Sequence, residues 1–78
     1  MAKIILPELG ENITKATVSY WFFQPGEKVE EKADLVELTT DKATFNLPSP
    51  CTGVLSDVYF HEGDTVSVGE ILGTIEES

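Results

Sequence analysis

Side chains able to do acid–base, nucleophilic or metal chemistry are few in this 78-residue chain, and they are scattered. His61 is the only histidine and stands in His61-Glu62-Gly63, a turn sequence where a solvated ring is the plain expectation. Cys51 is the only cysteine, so neither an internal disulfide nor a CxxC pair is available. Its thiol reads as a small packed or half-exposed side chain, and a free thiol suits a reducing compartment. One histidine, one cysteine and dispersed carboxylates give no metal-ligand spacing, and Ser49 beside Pro50 lacks a nucleophile-elbow pattern. The expectation is a chain with no catalytic and no metal-binding residues. What remains is an amine. The stretch Glu37 to Pro50, ELTTDKATFNLPSP, brings two β-favouring runs together at Asp41-Lys42 without a glycine. Asn-Gly or Asp-Gly would turn more readily. Asp41 and Lys42 fit the central positions of a type I turn, which strand twist disfavours in a hairpin. A lysine held on such a tip needs no shifted pKa to act as a tether; exposure and reach suffice.

The elements that would hold this tip emerge from a repeat. At an offset of 37 residues, SYWFFQPGEKV (19–29) falls on SDVYFHEGDTV (56–66), with Ser19 on Ser56, Phe23 on Phe60, Gly26 on Gly63 and Val29 on Val66. Leu35 then meets Leu72, and Leu38 meets Ile75. Leu6-Pro7 matches Leu47-Pro48 at another offset, which places about four extra residues in PELGENIT of the first copy. The repeat decides an ambiguous segment. EKVEEKADLVEL alone has helical spacing, but its counterpart DTVSVGEILGTI carries Thr, Val, Ile and two glycines and reads as strand and turn. Strands are therefore expected near 2–6, 16–23, 35–40, 43–47, 53–60 and 71–76, with short extended pieces at 28–30 and 65–67. Turns fall at Gln24-Pro25-Gly26, His61-Glu62-Gly63 and the Pro48-Ser49-Pro50 corner.

The fold class expected is all-β: a flattened barrel or sandwich of two antiparallel sheets, about four strands each, with quasi-two-fold symmetry and one domain over residues 1–78. Alternation sends Trp21 and Phe23 to one face and Phe22 to the other. Lys42 lies at the seam between the copies, since Asp41 aligns with Ser78. The symmetry puts the tip and the chain termini at opposite ends.

Within this frame TTDKATFNLPSP resembles the attachment motif of lipoyl domains, the swinging-arm modules of the acyltransferase subunits in 2-oxo acid dehydrogenase complexes, pyruvate dehydrogenase among them. The resemblance extends over essentially the whole chain. It includes LPELGENI, WFFQPG followed by KV, DLVELTTDKAT and FHEGDTVSVGEILGTIE. It implies a non-catalytic carrier whose cofactor, lipoic acid, is amide-linked to Lys42. Asp41 and Ala43 would help the attaching ligase or the partner enzyme recognise the turn. The loop Glu8, Leu9, Gly10, Glu11 and Asn12 would lie near that turn and dock the decarboxylase. Implied partners are a thiamine-dependent 2-oxo acid decarboxylase that loads an acyl group, an acyltransferase core that passes it to coenzyme A, dihydrolipoamide dehydrogenase, and a lipoyl ligase or transferase. Thr39 departs from the family pattern, in which many members carry an acid, and this bears on partner choice. A biotin carrier uses the same fold and turn lysine but brackets it with methionines; here the flanks are Asp41 and Ala43. An unmodified β-sandwich interaction module is the alternative of another class.

Composition bounds the partners. Fourteen acids against five lysines, with no arginine, give a net charge of −9, a field that repels nucleic acid and anionic membranes and favours a basic docking surface. No apolar run approaches the ~20 residues of a membrane span. MAKIILPELG has one lysine, a very short apolar run and then an acid, and does not read as a signal peptide. A monomeric domain in a bacterial cytoplasm, or in the mitochondrial matrix for a eukaryotic fragment, is expected.

Overall fold

The computed structural model describes residues 1–77. Eight strands follow one another: β1 (Ala2–Ile5), β2 (Lys15–Trp21), β3 (Lys28–Val29), β4 (Asp34–Thr39), β5 (Thr44–Pro48), β6 (Gly53–Val58), β7 (Thr65–Ser67) and β8 (Ile71–Glu77). They form two four-stranded antiparallel sheets, ordered β1-β8-β6-β3 and β5-β4-β2-β7. The family of strands expected from turn chemistry and alternation is thus the one present. EKVEEKADLVEL resolves into β3, a turn and β4, with no helix.

The repeat is visible in the hydrogen bonds. Advancing 37 residues carries β2 onto β6, β3 onto β7 and β4 onto β8, so one sheet order maps onto the other. Val18 pairs with Leu38 as Leu55 pairs with Ile75, and each ladder then skips one serine, Ser19 or Ser56, before Tyr20↔Glu37 or Asp57↔Thr74. Gly26 N–H donates to Leu55 O at 2.8 Å, and Gly63 N–H to Val18 O at 2.8 Å. The Glu27 carboxylate accepts from Gln24 N–H at 2.7 Å as the Asp64 carboxylate accepts from His61 N–H at 2.8 Å. A side-chain acceptor thereby closes the same turn in both copies.

One expected match is displaced. β1 stands to β8 as β5 stands to β4: Ile4↔Gly73 answers Leu47↔Val36. The structural equivalent of Leu6-Pro7 is therefore Ser49-Pro50, not Leu47-Pro48. Leu6 exchanges bonds with Glu70 and Gly69, and Ser49 with the equivalent Ala33 and Lys32. The offset here is 43 residues against 37 elsewhere, so the first copy carries six extra residues between β1 and β2, not four. The shared Leu-Pro dipeptide misleads because turn geometry is set by backbone partners, and the two Leu-Pro pairs have different ones.

Both copies fill one core. Val18, Val29, Leu35 and Leu38 and their equivalents Leu55, Val66, Leu72 and Ile75 are all buried, joined by Ile4 and Leu6. Each large side chain among them is worth roughly 1.5–3 kcal/mol when buried, and with Ala16 and Val36, whose equivalents are Gly53 and Gly73, the first copy supplies the larger share of the core. Trp21 and Phe23 pack against this core, as alternation predicts, while Phe22 is exposed and meets the outward Tyr20 edge-on at 5.2 Å. Trp21 Nε1–H donates to Phe60 O at 2.9 Å, tying the copies together.

Candidate functional site

β4 and β5 are joined at the Thr39↔Thr44 pair by Thr40, Asp41, Lys42 and Ala43. Neither Asp41 nor Lys42 has a positive φ, which excludes the primed turns and agrees with the type I expectation. What holds this disfavoured connection is Thr40. Its N–H donates to Ala43 O at 2.8 Å, and its Oγ1 accepts from Lys42 N–H at 3.2 Å and Ala43 N–H at 3.1 Å. Its hydroxyl also lies 3.0 Å from Ala43 O. A side chain substitutes for part of the ladder, as Ser and Thr do in turns. Sequence reasoning picked out Asp41 and Ala43 and missed Thr40. The signal was the second threonine of Thr39-Thr40, two residues before the lysine.

Asp41, Lys42 and Ala43 are all exposed, so the Lys42 amine leaves the protein at the end of a rigid hairpin. Such a tip can donate a nucleophilic amine to an activated carboxyl and then carry the product clear of the surface. The other lysines are placed differently: Lys3, Lys15 and Lys28 lie within strands, and Lys32 lies between β3 and β4.

The loop Glu8–Asn12 falls within the six-residue excess of the first copy. Glu8, Gly10, Glu11 and Asn12 are exposed, while Leu9 reaches back to the core. Gly10 and Asn12 hold positive φ angles of 144° and 66°, and Ile13 N–H closes the turn on Gly10 O at 3.3 Å. A groove of about 390 Å³ beside the lysine turn is lined on one side by Asn12, Ile13 and Lys15 and on the other by Thr39, Thr40, Asp41 and Lys42. Of this loop only Asn12 reaches the groove; Glu8, Gly10 and Glu11 line a separate depression with Thr14 and Val68.

The remaining reactive side chains are not gathered here. His61 is exposed in its turn. Cys51 is half-buried at the far corner, and burial, then the carboxylates of Glu77 and Glu31, push its thiol above the usual range. A thiol held protonated is a poor nucleophile. Among the described residues no group of three or more His, Cys, Asp or Glu could hold a metal ion.

Residues 2–75 match the Biotin_lipoyl family model, described as "Biotin-requiring enzyme". The chain belongs to this biotin/lipoyl family. The dihydrolipoyllysine-residue succinyltransferase component of the 2-oxoglutarate dehydrogenase complex of Bacillus subtilis is 49% identical over 77 residues, which are 99% of this chain and 18% of that protein. The chain thus spans about a fifth of such relatives. The acetyltransferase component of the pyruvate dehydrogenase complex of Corynebacterium glutamicum is more distant, at 38% identity over 94% of this chain and 11% of its own length. Among solved structures, the lipoyl domain of the 2-oxoglutarate dehydrogenase complex from Azotobacter vinelandii superimposes with a TM-score of 0.80 at 35% identity, covering 99% of this chain and 98% of that one. The lipoyl domain of the succinyltransferase component from Escherichia coli gives 0.79 at 38%, covering 99% and 96%.

Within the family the chain is a lipoyl carrier domain, of the kind borne by acyltransferase components of 2-oxo acid dehydrogenase complexes. It is a carrier, and catalysis lies in other domains of such components. Lipoic acid is carried covalently on a lysine in such domains, and Lys42, exposed in the turn between β4 and β5, fits that use. No methionine flanks Lys42, in keeping with the lipoyl branch of the family over the biotinyl one.

Proposed function

We propose that Lys42 bears the lipoyl group, amide-linked through Nζ, and that residues 1–78 act as one acyl-carrying domain of a complex that consumes 2-oxoglutarate. One observation carries the attachment. In a lipoyl-family chain, Lys42 is the lysine set at a two-residue hairpin tip, with its flanking residues exposed. The choice of 2-oxoglutarate is supported by the names of two relatives at 49% identity and of two structural neighbours; the pyruvate complex is named for a relative at 38%.

Held on Lys42, the dithiolane would supply disulfide–dithiol chemistry and a sulfur able to carry an acyl group. The chain supplies the rest. Attachment joins Lys42 Nζ to the lipoate carboxyl, removes one positive charge and takes the formal balance from −9 to −10. Thr40 fixes the root, so that the arm sweeps from a defined point. Extended, lysine and lipoyl chain reach roughly 14 Å from the Cα by standard bond lengths. Tethering replaces a diffusing reactant by one at millimolar effective concentration, roughly. Asp41 and Ala43 present the turn to a lipoyl ligase or transferase, and Glu8–Asn12 meets the thiamine-dependent decarboxylase. Dihydrolipoamide dehydrogenase and the acyltransferase core are the remaining partners. Thr39 stands near the turn where many family members carry an acid, and this difference bears on partner choice. The domain acts as a monomer, in the bacterial cytoplasm or the mitochondrial matrix.

Incubation with a lipoyl ligase, ATP and lipoate tests the attachment. Intact mass should rise by one lipoyl amide, and Lys42→Arg should abolish the rise; modification mapped to Lys3, Lys15, Lys28 or Lys32 would overturn the assignment. The loaded domain is then offered to decarboxylases specific for 2-oxoglutarate, pyruvate and branched-chain 2-oxo acids. Fastest acylation by the first is expected, and preference for either of the others would remove the substrate reading.

A further inference from the structure

From the groove beside Lys42 we infer a resting site for the arm itself, an inference that rests on lipoylation at Lys42. The two copies of the fold agree in strand order and in the bulges of their central ladders, and their largest difference in length is the connection between β1 and β2. Its six extra residues end in Asn12 and Ile13, which form one wall of a groove whose other wall is the lysine turn. The equivalent connection from β5 to β6 is short, running only from Ser49 to Thr52. The fold thus departs from its own symmetry where the arm is rooted.

The groove suits this occupant in size and chemistry. Its volume of about 390 Å³ lies at the small end of the roughly 300–1,000 Å³ range of small-molecule sites. Half-buried Ile13 offers apolar surface to the dithiolane, while Thr17 and Thr65 offer hydroxyls to the amide that joins the arm to Lys42. Gly10 lies close under Ile13, with the position of its absent Cβ 3.6 Å from Ile13 Cδ1, so the loop turn sets where that side chain stands. The groove is open and partly polar, and its affinity for a free ligand would be weak. The tether compensates, because an attached group at an effective concentration on the order of millimolar half-fills a site of millimolar dissociation constant. A resting arm would shield the dithiolane between visits and leave it available to any active site that binds more tightly.

The test compares NMR spectra of the domain before and after lipoylation, with intact mass confirming the modification. Contact should appear as NOEs from dithiolane protons to the methyls of Ile13, Thr17 and Thr65. Shift changes should reach those residues as well as Asp41–Ala43. Thr65→Tyr, which fills the groove from an exposed strand position, should remove the NOEs and raise the ring's mobility to that of free lipoamide. Ile13→Ala should weaken them severalfold, with amide dispersion reporting that each variant is folded. A lipoylated domain whose shifts are confined to the turn, with a ring as mobile as free lipoamide, overturns the resting site and leaves the carrier reading intact. Absence of a mass increase at Lys42 overturns both.

Discussion

Thr40 does at the scale of one residue what glycine does in other hairpins. Asn-Gly relaxes a turn by adopting positive φ, whereas here both central residues keep negative φ and a hydroxyl accepts two backbone N–H groups instead. The gain is a tip with a side chain at each central position, one of them the reactive amine. Thr40→Val keeps the shape and loses the acceptor. Water reaches this exposed turn, so the cost should be about 1 kcal/mol, the net worth of a hydrogen bond, read as a lower denaturation midpoint. The initial rate of lipoylation should fall more than the midpoint implies, because the ligase then meets a mobile lysine. An unchanged rate would show that turn rigidity is irrelevant to modification. A motif marks Lys42 in the sequence; nothing there marks the bonds that Thr40 makes, since hydroxyl capping depends on where the chain bends.

At the scale of the strands, the repeat supplies internal controls. Lys32 has φ 73° and its equivalent, Gly69, has φ 94°. The same left-handed corner is filled once by glycine and once by a side chain. For an L-residue that corner costs roughly 1–2 kcal/mol, while glycine costs roughly 0.4–1 kcal/mol through the freedom it adds to the unfolded chain. Strain is the larger of the two, so Lys32→Gly should stabilise by about 0.5 kcal/mol and Gly69→Ala should destabilise by about as much. Chemical denaturation of both variants checks the pair of signs. Gly53 is different: a Cβ there would stand 2.2 Å from Glu76 O, a backbone atom that cannot swing aside. Gly53→Ala should cost roughly 1–3 kcal/mol, as overpacking does, and should loosen β6 from β8 in hydrogen exchange. Most strands were legible in the sequence because Val29/Val66 and Leu35/Leu72 recur with their turns. The ends of β2 and β6 were not, since Phe22-Phe23 and Tyr59-Phe60 look extended yet follow the last ladder pairs at Trp21 and Val58. The six-residue excess was misjudged for a related reason. A surface loop answers to backbone partners, and composition does not encode them.

Over the whole molecule, charge governs encounter. A balance of −9, or −10 once lipoylated, gives long-range attraction to any enzyme with a basic docking face. A tenfold rise in ionic strength shortens the screening length about threefold and should lower the association rate with the decarboxylase by about an order of magnitude. Stopped-flow measurements would show this, and a flat salt profile would mean that apolar contact alone directs docking. Cys51, with its thiol pushed up by burial, adds a smaller pH dependence. Its neutral form is favoured in the folded chain, so stability should decline as alkaline pH carries the thiol through its titration.

The strands of the two copies are also interleaved. β1 and β3 complete the sheet of β8 and β6, and β5 and β7 complete the sheet of β4 and β2. Neither half therefore owns a finished layer, and severing the chain at the lysine turn should yield two fragments that are disordered apart and structured when mixed. Trp21, the sole indole, already spans the divide through its bond to Phe60 O, so its emission would follow the fragments as they recombine.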